Sequence, residues 1–133
     1  MLRIILGIIG GVIVAFIVTF LIESIGHTAF PVAGDLPMSD PAYLDAVPLP
    51  AKLMVMLAWF LASLCGGALA NAISRSGWAG WAVAACMIAG AAYSFTQIVH
   101  PTWMIAGGII LPLLAAWIAS RFASPNAGAN PAA

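Results

Sequence analysis

Residues 4–22 read IILGIIGGVIVAFIVTFLI, a stretch without a single charged side chain. As an α-helix this stretch would be about 28 Å long, close to the roughly 30 Å thickness of a bilayer's hydrocarbon core. Arg3 precedes it and Glu23 follows it, so a charge closes the segment at each end. The stretch therefore predicts a first membrane span.

Three further apolar stretches follow at residues 53–73, 78–99 and 103–119. Only a few residues separate the last three, so these helices are expected to be antiparallel neighbours. The chain is 64% hydrophobic and 6% charged, whereas soluble proteins average roughly 45–50% apolar and about 25% charged residues. We predict an all-α fold, a four transmembrane helix bundle with helices at about 4–25, 51–74, 78–99 and 103–121.

The segment between the first two spans, residues 26–50, is the longest polar part of the chain. Within it, Asp40 followed by Pro41 is typical of a helix N-cap and first helical position. Tyr43, Leu44 and Val47 would then share one apolar face. We predict a short interfacial helix in this outer loop, between helices 1 and 2.

The membrane domain is expected to cover residues 1–123. The tail at 124–133 consists of small and polar residues with two prolines, and it has no bulky apolar side chain to bury. Such a composition predicts disorder.

Charge is distributed unequally between the two sides of a four-span arrangement. Arg3, Arg75 and Arg121 fall on one side, and Asp35, Asp40 and Asp45 fall on the other. Lys52 is the exception, on the acidic side. Because basic residues favour the cytoplasmic side, both termini are predicted to be cytoplasmic.

The first apolar stretch has an alternative interpretation as a secretory signal peptide, with cleavage near Ala29 or Ala33. It is longer than a normal signal-peptide core, and Glu23 and Phe30 interrupt the cleavage region. A membrane span is the favoured interpretation.

Small residues spaced by four indicate where helices pack in lipid, because backbones approach closely there. The residues predicted to pack are Gly7 and Gly11 on the first span, Ser63, Gly67 and Asn71 on the second, and Cys86, Gly90 and Ser94 on the third. These stripes predict contacts inside the bundle rather than a homodimer face. Cys65 and Cys86 would lie at similar depth, but no other ligand type accompanies them, and neither a disulfide nor a metal is predicted there.

One polar cluster carries most of the chemistry. Glu23 and His27 are four residues apart on one helix face, and His100 ends the third span on the same side. A carboxylate and two imidazoles are possible zinc ligands, with water or a loop aspartate as a fourth. A metal site formed by these three residues is one hypothesis.

The favoured interpretation of the cluster needs no ligand. Histidines near helix C-termini interact well with the helix dipole, whereas Glu23 near a C-terminus and Lys52 near an N-terminus are each disfavoured by it. An ion pair between Glu23 and Lys52 would relieve both. Haem ligation by His27 or His100 lacks any further pocket signature, and no cofactor is predicted.

A channel or carrier is a further alternative. None of the predicted spans has an ionisable side chain at its centre, as a proton-coupled carrier normally would. An oligomeric pore could still be lined by Asn71, Ser94, Thr96 or Gln97.

The chain contains four short motifs. They are Glu23-x-x-x-His27, Phe30-Pro31, Gly66-Gly67 ahead of Arg75, and His100-Pro101-x-Trp103. Together they resemble a loose group of small, uncharacterised four-span bacterial membrane proteins. The resemblance implies a bacterial inner-membrane location and the same helix layout, but no activity.

The sequence contains no phosphate-binding loop and no evident nucleophile with a base. Its zero net charge offers no footprint for nucleic acid. We expect a non-enzymatic membrane protein whose partners are the lipid bilayer and other membrane subunits or copies of itself, acting as an accessory or structural subunit of a larger assembly or as a homo-oligomer.

Overall fold

The computed structural model describes residues 1–32 and 34–122. The helices are α1 (Leu2–Ala29), α2 (Tyr43–Ala46), α3 (Leu49–Ser74), α4 (Ala79–Gln97) and α5 (Thr102–Phe122). Four of them, α1, α3, α4 and α5, are long and apolar enough to cross a membrane. The predicted all-α, four-span fold is confirmed, and it is the fold of a multi-pass membrane protein. Ala33 and the tail predicted to be disordered lie outside the described residues.

Helix α3 is the centre of the bundle. It packs against α1, α4 and α5, and α4 also packs against both α1 and α5. Helices α1 and α5 therefore lie on opposite sides of the α3–α4 pair. This arrangement leaves α1 with a broad outward surface of large apolar side chains such as Ile9, Ile13 and Phe20.

Glycines allow α1 and α3 to approach each other at backbone distance. A Cβ added at Gly11 would lie 2.5 Å from the Gly66 carbonyl oxygen, and one added at Gly66 would meet the Gly11 carbonyl. One turn earlier, a Cβ at Gly7 would lie 2.7 Å from the Ala70 carbonyl oxygen. The predicted GxxxG stripe of α1 thus faces α3 within the same chain.

The second predicted stripe, Ser63, Gly67 and Asn71, lies on the buried side of α3. Gly67 faces α4 and α5, where its added Cβ would lie 3.5 Å from Gly80 Cα and from Ala119 Cβ. The Asn71 side-chain oxygen accepts a hydrogen bond of 2.7 Å from the Gly80 amide, in the first turn of α4. Asn71, which lies on α3, therefore takes the place of an N-cap side chain for α4.

The two ends of the bundle differ in charge. Gly7 lies near Ser74, and Gly77 lies near Ser120, so Arg3, Arg75 and Arg121 share one end, called here the arginine end. The opposite end carries α2 and the segment joining it to α1, and is called the loop end. Gly26 packs on Met54 near the loop end.

Two local predictions need correction at the loop end. Helix α1 runs to Ala29, past the predicted boundary, and the Phe30 amide closes it by bonding the Gly26 carbonyl at 2.9 Å. Helix α2 begins at Tyr43 rather than at Pro41. The Asp40 side chain does accept a hydrogen bond from the Ala42 amide, at 2.8 Å, but it closes a turn ahead of the helix.

The third predicted stripe is also corrected. On α4 the buried face is formed by residues such as Val83, Met87 and Ala91, while Cys86 and Gly90 are exposed. Nothing lies within 4 Å of a Cβ added at Gly90. The predicted stripe lies next to this buried face on the helix. Its small residues border open space instead of packing against another helix.

Candidate functional site

A cavity of about 350 Å³ lies at the loop end, between α1, α3 and α4. Residues Tyr43, Leu44 and Val47, predicted to share an apolar face, cover it from the loop side. Ligand sites in proteins commonly range over roughly 300–1,000 Å³. The cavity is hereafter called the loop-end cavity, and it is lined by the ionisable residues of the predicted polar cluster and ion pair: Glu23, His27, Lys52 and His100.

One face of α1 forms the first wall. Phe16, Thr19, Glu23 and His27 line the cavity, each three or four residues from the next, which is the spacing of a single helix face. Glu23 is half-buried and His27 is exposed. The Thr19 hydroxyl is buried, and no hydrogen-bond partner reaches it among the described residues.

Helix α3 forms the second wall through Lys52, Val55 and Trp59. Lys52 is half-buried near the start of the helix, whereas Trp59 is buried about 10 Å deeper along it. The predicted ion pair is not formed, because no Glu23 oxygen lies within 4.0 Å of the Lys52 nitrogen. Each charge lines the cavity from its own helix instead.

His100 occupies the third side, just after the end of α4. Its Nδ1 donates a hydrogen bond of 2.7 Å to the carbonyl of Ile98, the C-cap residue. Its ring contacts Phe95 edge-on, with the centroids 4.9 Å apart, and lies 6.4 Å from the Trp59 ring. Since a carbonyl only accepts, the hydrogen of this bond lies on Nδ1.

The hypothesis of a metal site is not supported by this geometry. In the part of the chain that the structure describes, no three His, Cys, Asp or Glu side chains are grouped so as to hold a metal ion. His100 is held by Ile98 and Phe95 on the α4 side, while Glu23 and His27 lie on α1. The three residues share a cavity without converging on one point.

Helix α4 forms the remaining wall. The residues that line the cavity there include the three that were predicted to pack: Cys86, Gly90 and Ser94. Phe16 on α1 and Gly90 on α4 both line the cavity and are exposed, and a Cβ added at Gly90 would meet nothing within 4 Å, so a lateral gap lies between these two helices. Closer to the arginine end the helices meet, since a Cβ added at Gly11 would lie 2.9 Å from Val83. The cavity is therefore open toward the side of the bundle and closed toward the arginine end.

The residues proposed to line a pore are not brought together. Ser94 lines the loop-end cavity, whereas Asn71 is buried near the arginine end. Thr96 and Gln97 are exposed, and the Gln97 amide nitrogen donates to the Thr96 hydroxyl at 3.1 Å. These positions do not follow one path.

Sequence reasoning missed Thr19 and Trp59. The signal for Thr19 was its position four residues before Glu23 and eight before His27, which puts three polar side chains on one face of an otherwise apolar helix. Trp59 follows Lys52 by seven residues, two turns along α3. The spacing within each helix was readable, but the gap between α1 and α4 was not.

A second surface is the outward face of α4. Ala85, Ala89, Ala92 and Thr96 are exposed and share one helix face by their spacing. Helix α4 is also the least hydropathic of the four candidate spans. This surface is called here the α4 outer face; between the exposed aromatic side chains of Trp81 and Tyr93 near its two ends it carries mainly alanine, whereas α1 exposes large apolar side chains along its whole length.

Comparisons with known proteins gave no match among family models, curated proteins or solved structures.

Proposed function

We propose that this chain is a non-enzymatic membrane protein that works as an accessory or structural subunit of a larger membrane assembly or as a homo-oligomer. The observation that carries the proposal is the α4 outer face. Large apolar side chains suit a surface covered by lipid, whereas small residues in membrane helices mark close helix contacts. Between Trp81 and Tyr93, the α4 outer face exposes Ala85, Ala89 and Ala92, where α1 exposes isoleucine and phenylalanine. A protein neighbour on α4 explains this difference.

The test is gentle detergent purification at native expression level, with light scattering and mass spectrometry of what co-purifies. The intact chain is expected in a complex larger than the monomer. Ala89→Leu should reduce this complex because a bulky side chain separates the helices. Ala68→Leu is the matched control, since Ala68 is an exposed alanine on α3. A wild-type chain that purifies alone as a monomer would contradict the proposal.

The membrane and the orientation are part of the same proposal. We place the chain in the bacterial inner membrane with both termini in the cytoplasm. The resemblance to small bacterial four-span proteins supports the location. The orientation is supported by Arg3, Arg75 and Arg121 at the arginine end, because basic residues favour the cytoplasmic side.

Single-cysteine labelling tests the orientation. In a Cys65→Ala, Cys86→Ala background, Asp35→Cys should react with a membrane-impermeant maleimide on whole cells, and Ser76→Cys should react only after permeabilisation. Both positions lie outside the long helices, which makes them a matched pair. The reverse pattern would place the termini outside.

A further inference from the structure

The lining of the loop-end cavity changes from polar to apolar along the bundle axis. Lys52 lines its loop-end rim, and Glu23 lies at least one turn deeper, because Gly26 on α1 is level with Met54 on α3. Thr19 lies one turn, about 6 Å, deeper on α1 than Glu23, and Trp59 lies two turns deeper on α3 than Lys52. Headgroup, ester and acyl chain of a membrane lipid follow one another in the same order with depth.

Glu23 and Lys52 line the cavity with opposite charges, and His27, one turn along α1, interacts electrostatically with Glu23. In the described part of the chain, neither Glu23 nor Lys52 forms an ion pair. Both are half-buried, and Lys52 lies in the first turn of α3, where the helix dipole disfavours a cation. Charges at this depth normally pair. An anionic ligand would satisfy Lys52 alone and a cationic ligand Glu23 alone, whereas a zwitterion satisfies both.

The Thr19 hydroxyl supplies a second, independent indication. It lines the cavity, its oxygen is buried, and no described group accepts its hydrogen. A buried polar group without a partner costs free energy, so such groups normally indicate a water or ligand. One turn deeper than Glu23, the matching acceptor is an ester carbonyl.

We propose that the loop-end cavity binds a zwitterionic phospholipid of the surrounding membrane, with its ammonium group at Glu23, its phosphate at Lys52 and an ester carbonyl accepting from Thr19. The lipid enters through the lateral opening between Phe16 and Gly90. A volume of about 350 Å³ holds roughly a dozen waters, which is enough for a headgroup and the start of one acyl chain. The remaining chain length stays in the bilayer.

Native mass spectrometry of the full chain in detergent tests the selectivity. The probes are palmitoyl-oleoyl phosphatidylethanolamine and phosphatidylglycerol, offered in equal amounts. One phosphatidylethanolamine should remain bound per chain in preference to phosphatidylglycerol. Equal retention of both lipids, or preference for phosphatidylglycerol, would overturn the proposal.

Three conservative variants test the individual contacts. Glu23→Gln should weaken phosphatidylethanolamine binding about tenfold and bring its affinity close to that of phosphatidylglycerol, as expected for the loss of a charge-assisted hydrogen bond. Lys52→Met should weaken phosphatidylglycerol binding by at least the same factor of about ten. Thr19→Val should weaken binding of both lipids about threefold. The control is Thr28→Val, because Thr28 is exposed and bonds Ser24 at 2.8 Å. Equal effects at Thr19 and Thr28 would contradict the assigned contact.

Native cysteines give a test that does not depend on any variant. Cys86 lines the cavity, whereas Cys65 is exposed on α3 outside it. Adding phosphatidylethanolamine to delipidated protein should slow maleimide labelling of Cys86 severalfold and leave Cys65 unchanged. Parallel slowing at both thiols, or at neither, would mean that the lipid does not occupy the cavity.

Discussion

At the scale of single residues, Asn71 joins two helices at the arginine end. Its side chain is fully buried, and its oxygen binds the Gly80 amide at 2.7 Å. That amide lies in the first turn of α4, where no carbonyl of the same helix is available. Asn71 was predicted to be a small packing residue, but its hydrogen bond gives it a more specific role.

Asn71→Ala should lower the free energy of unfolding by about 1–2 kcal/mol, since it leaves a buried amide without a partner. Ser63→Ala is the matched control. Ser63 is equally buried on α3, but its hydroxyl has no hydrogen-bond partner among the described residues, so its loss should be neutral or stabilising. Thermal unfolding in detergent measures both. The role assigned to Asn71 is wrong if the two variants unfold alike.

Arg75 ends α3 in the left-handed region, with φ of 55° and ψ of 35°. Helices commonly end in this way, but glycine usually occupies the position, because a side chain costs about 1–2 kcal/mol there. The retained arginine suits its proposed role in membrane orientation, where charge matters more than local stability.

Arg75→Gly should therefore unfold at the same temperature as the wild type or higher. Arg75→Val should unfold at a lower temperature, because a β-branched side chain fits the left-handed region poorly. Thermal unfolding in a neutral detergent separates this backbone effect from orientation. A valine variant as stable as the glycine variant would contradict the conformation described.

At the scale of elements, the contact between α1 and α3 depends on where glycine occurs. Gly10 and Gly11 are adjacent, yet a Cβ at Gly11 would meet the Gly66 carbonyl at 2.5 Å while one at Gly10 would have 3.6 Å to its nearest neighbour. Alanine adds roughly 1 kcal/mol of helix propensity at either position. The difference between the two substitutions therefore isolates the packing.

Gly11→Ala should destabilise the bundle by about 1–3 kcal/mol, because two backbones must separate. Gly10→Ala should be neutral or stabilising. Unfolding in mixed micelles, followed by tryptophan fluorescence, measures the difference. If both variants respond alike, helix propensity rather than the α1–α3 contact determines stability here.

The same elements show how far sequence patterns extend. The spacing of small residues correctly predicted the α1 stripe at Gly7 and Gly11. On α4 it predicted the wrong packing face, because the buried face lies beside the stripe of small residues. Small residues serve in both places: on α1 they allow close approach, and on α4 they border an open cavity. Nothing in the spacing of Cys86 and Gly90 distinguishes a filled space from an empty one, because this depends on how the opposite helix is inclined.

At the scale of the whole molecule, hydrophobic length was enough to predict four spans, their order and the short helix between the first two. The residues around the cavity were also recognised as a group, because Glu23, His27, Lys52 and His100 fall at the same end of their helices. Their pairing could not be predicted. Whether Glu23 reaches Lys52 or His100 depends on distances of a few ångströms across the bundle, which sequence spacing along one helix does not determine.

The arrangement of helices also predicts where the chain can be split into two fragments that still assemble. Helix α1 contacts the remainder chiefly through α3, and only the segment around Gly34, which is exposed, connects it to α2. If side-to-side packing rather than chain connection holds α1, fragments 1–34 and 35–133 expressed together should assemble in the membrane and co-purify. Gly11→Ala in the first fragment should reduce co-purification about tenfold, as expected for a loss of 1–3 kcal/mol, and Gly10→Ala should not. Fragments that fail to associate would mean that the connecting segment, not the glycine contact, keeps α1 in place beside the loop-end cavity.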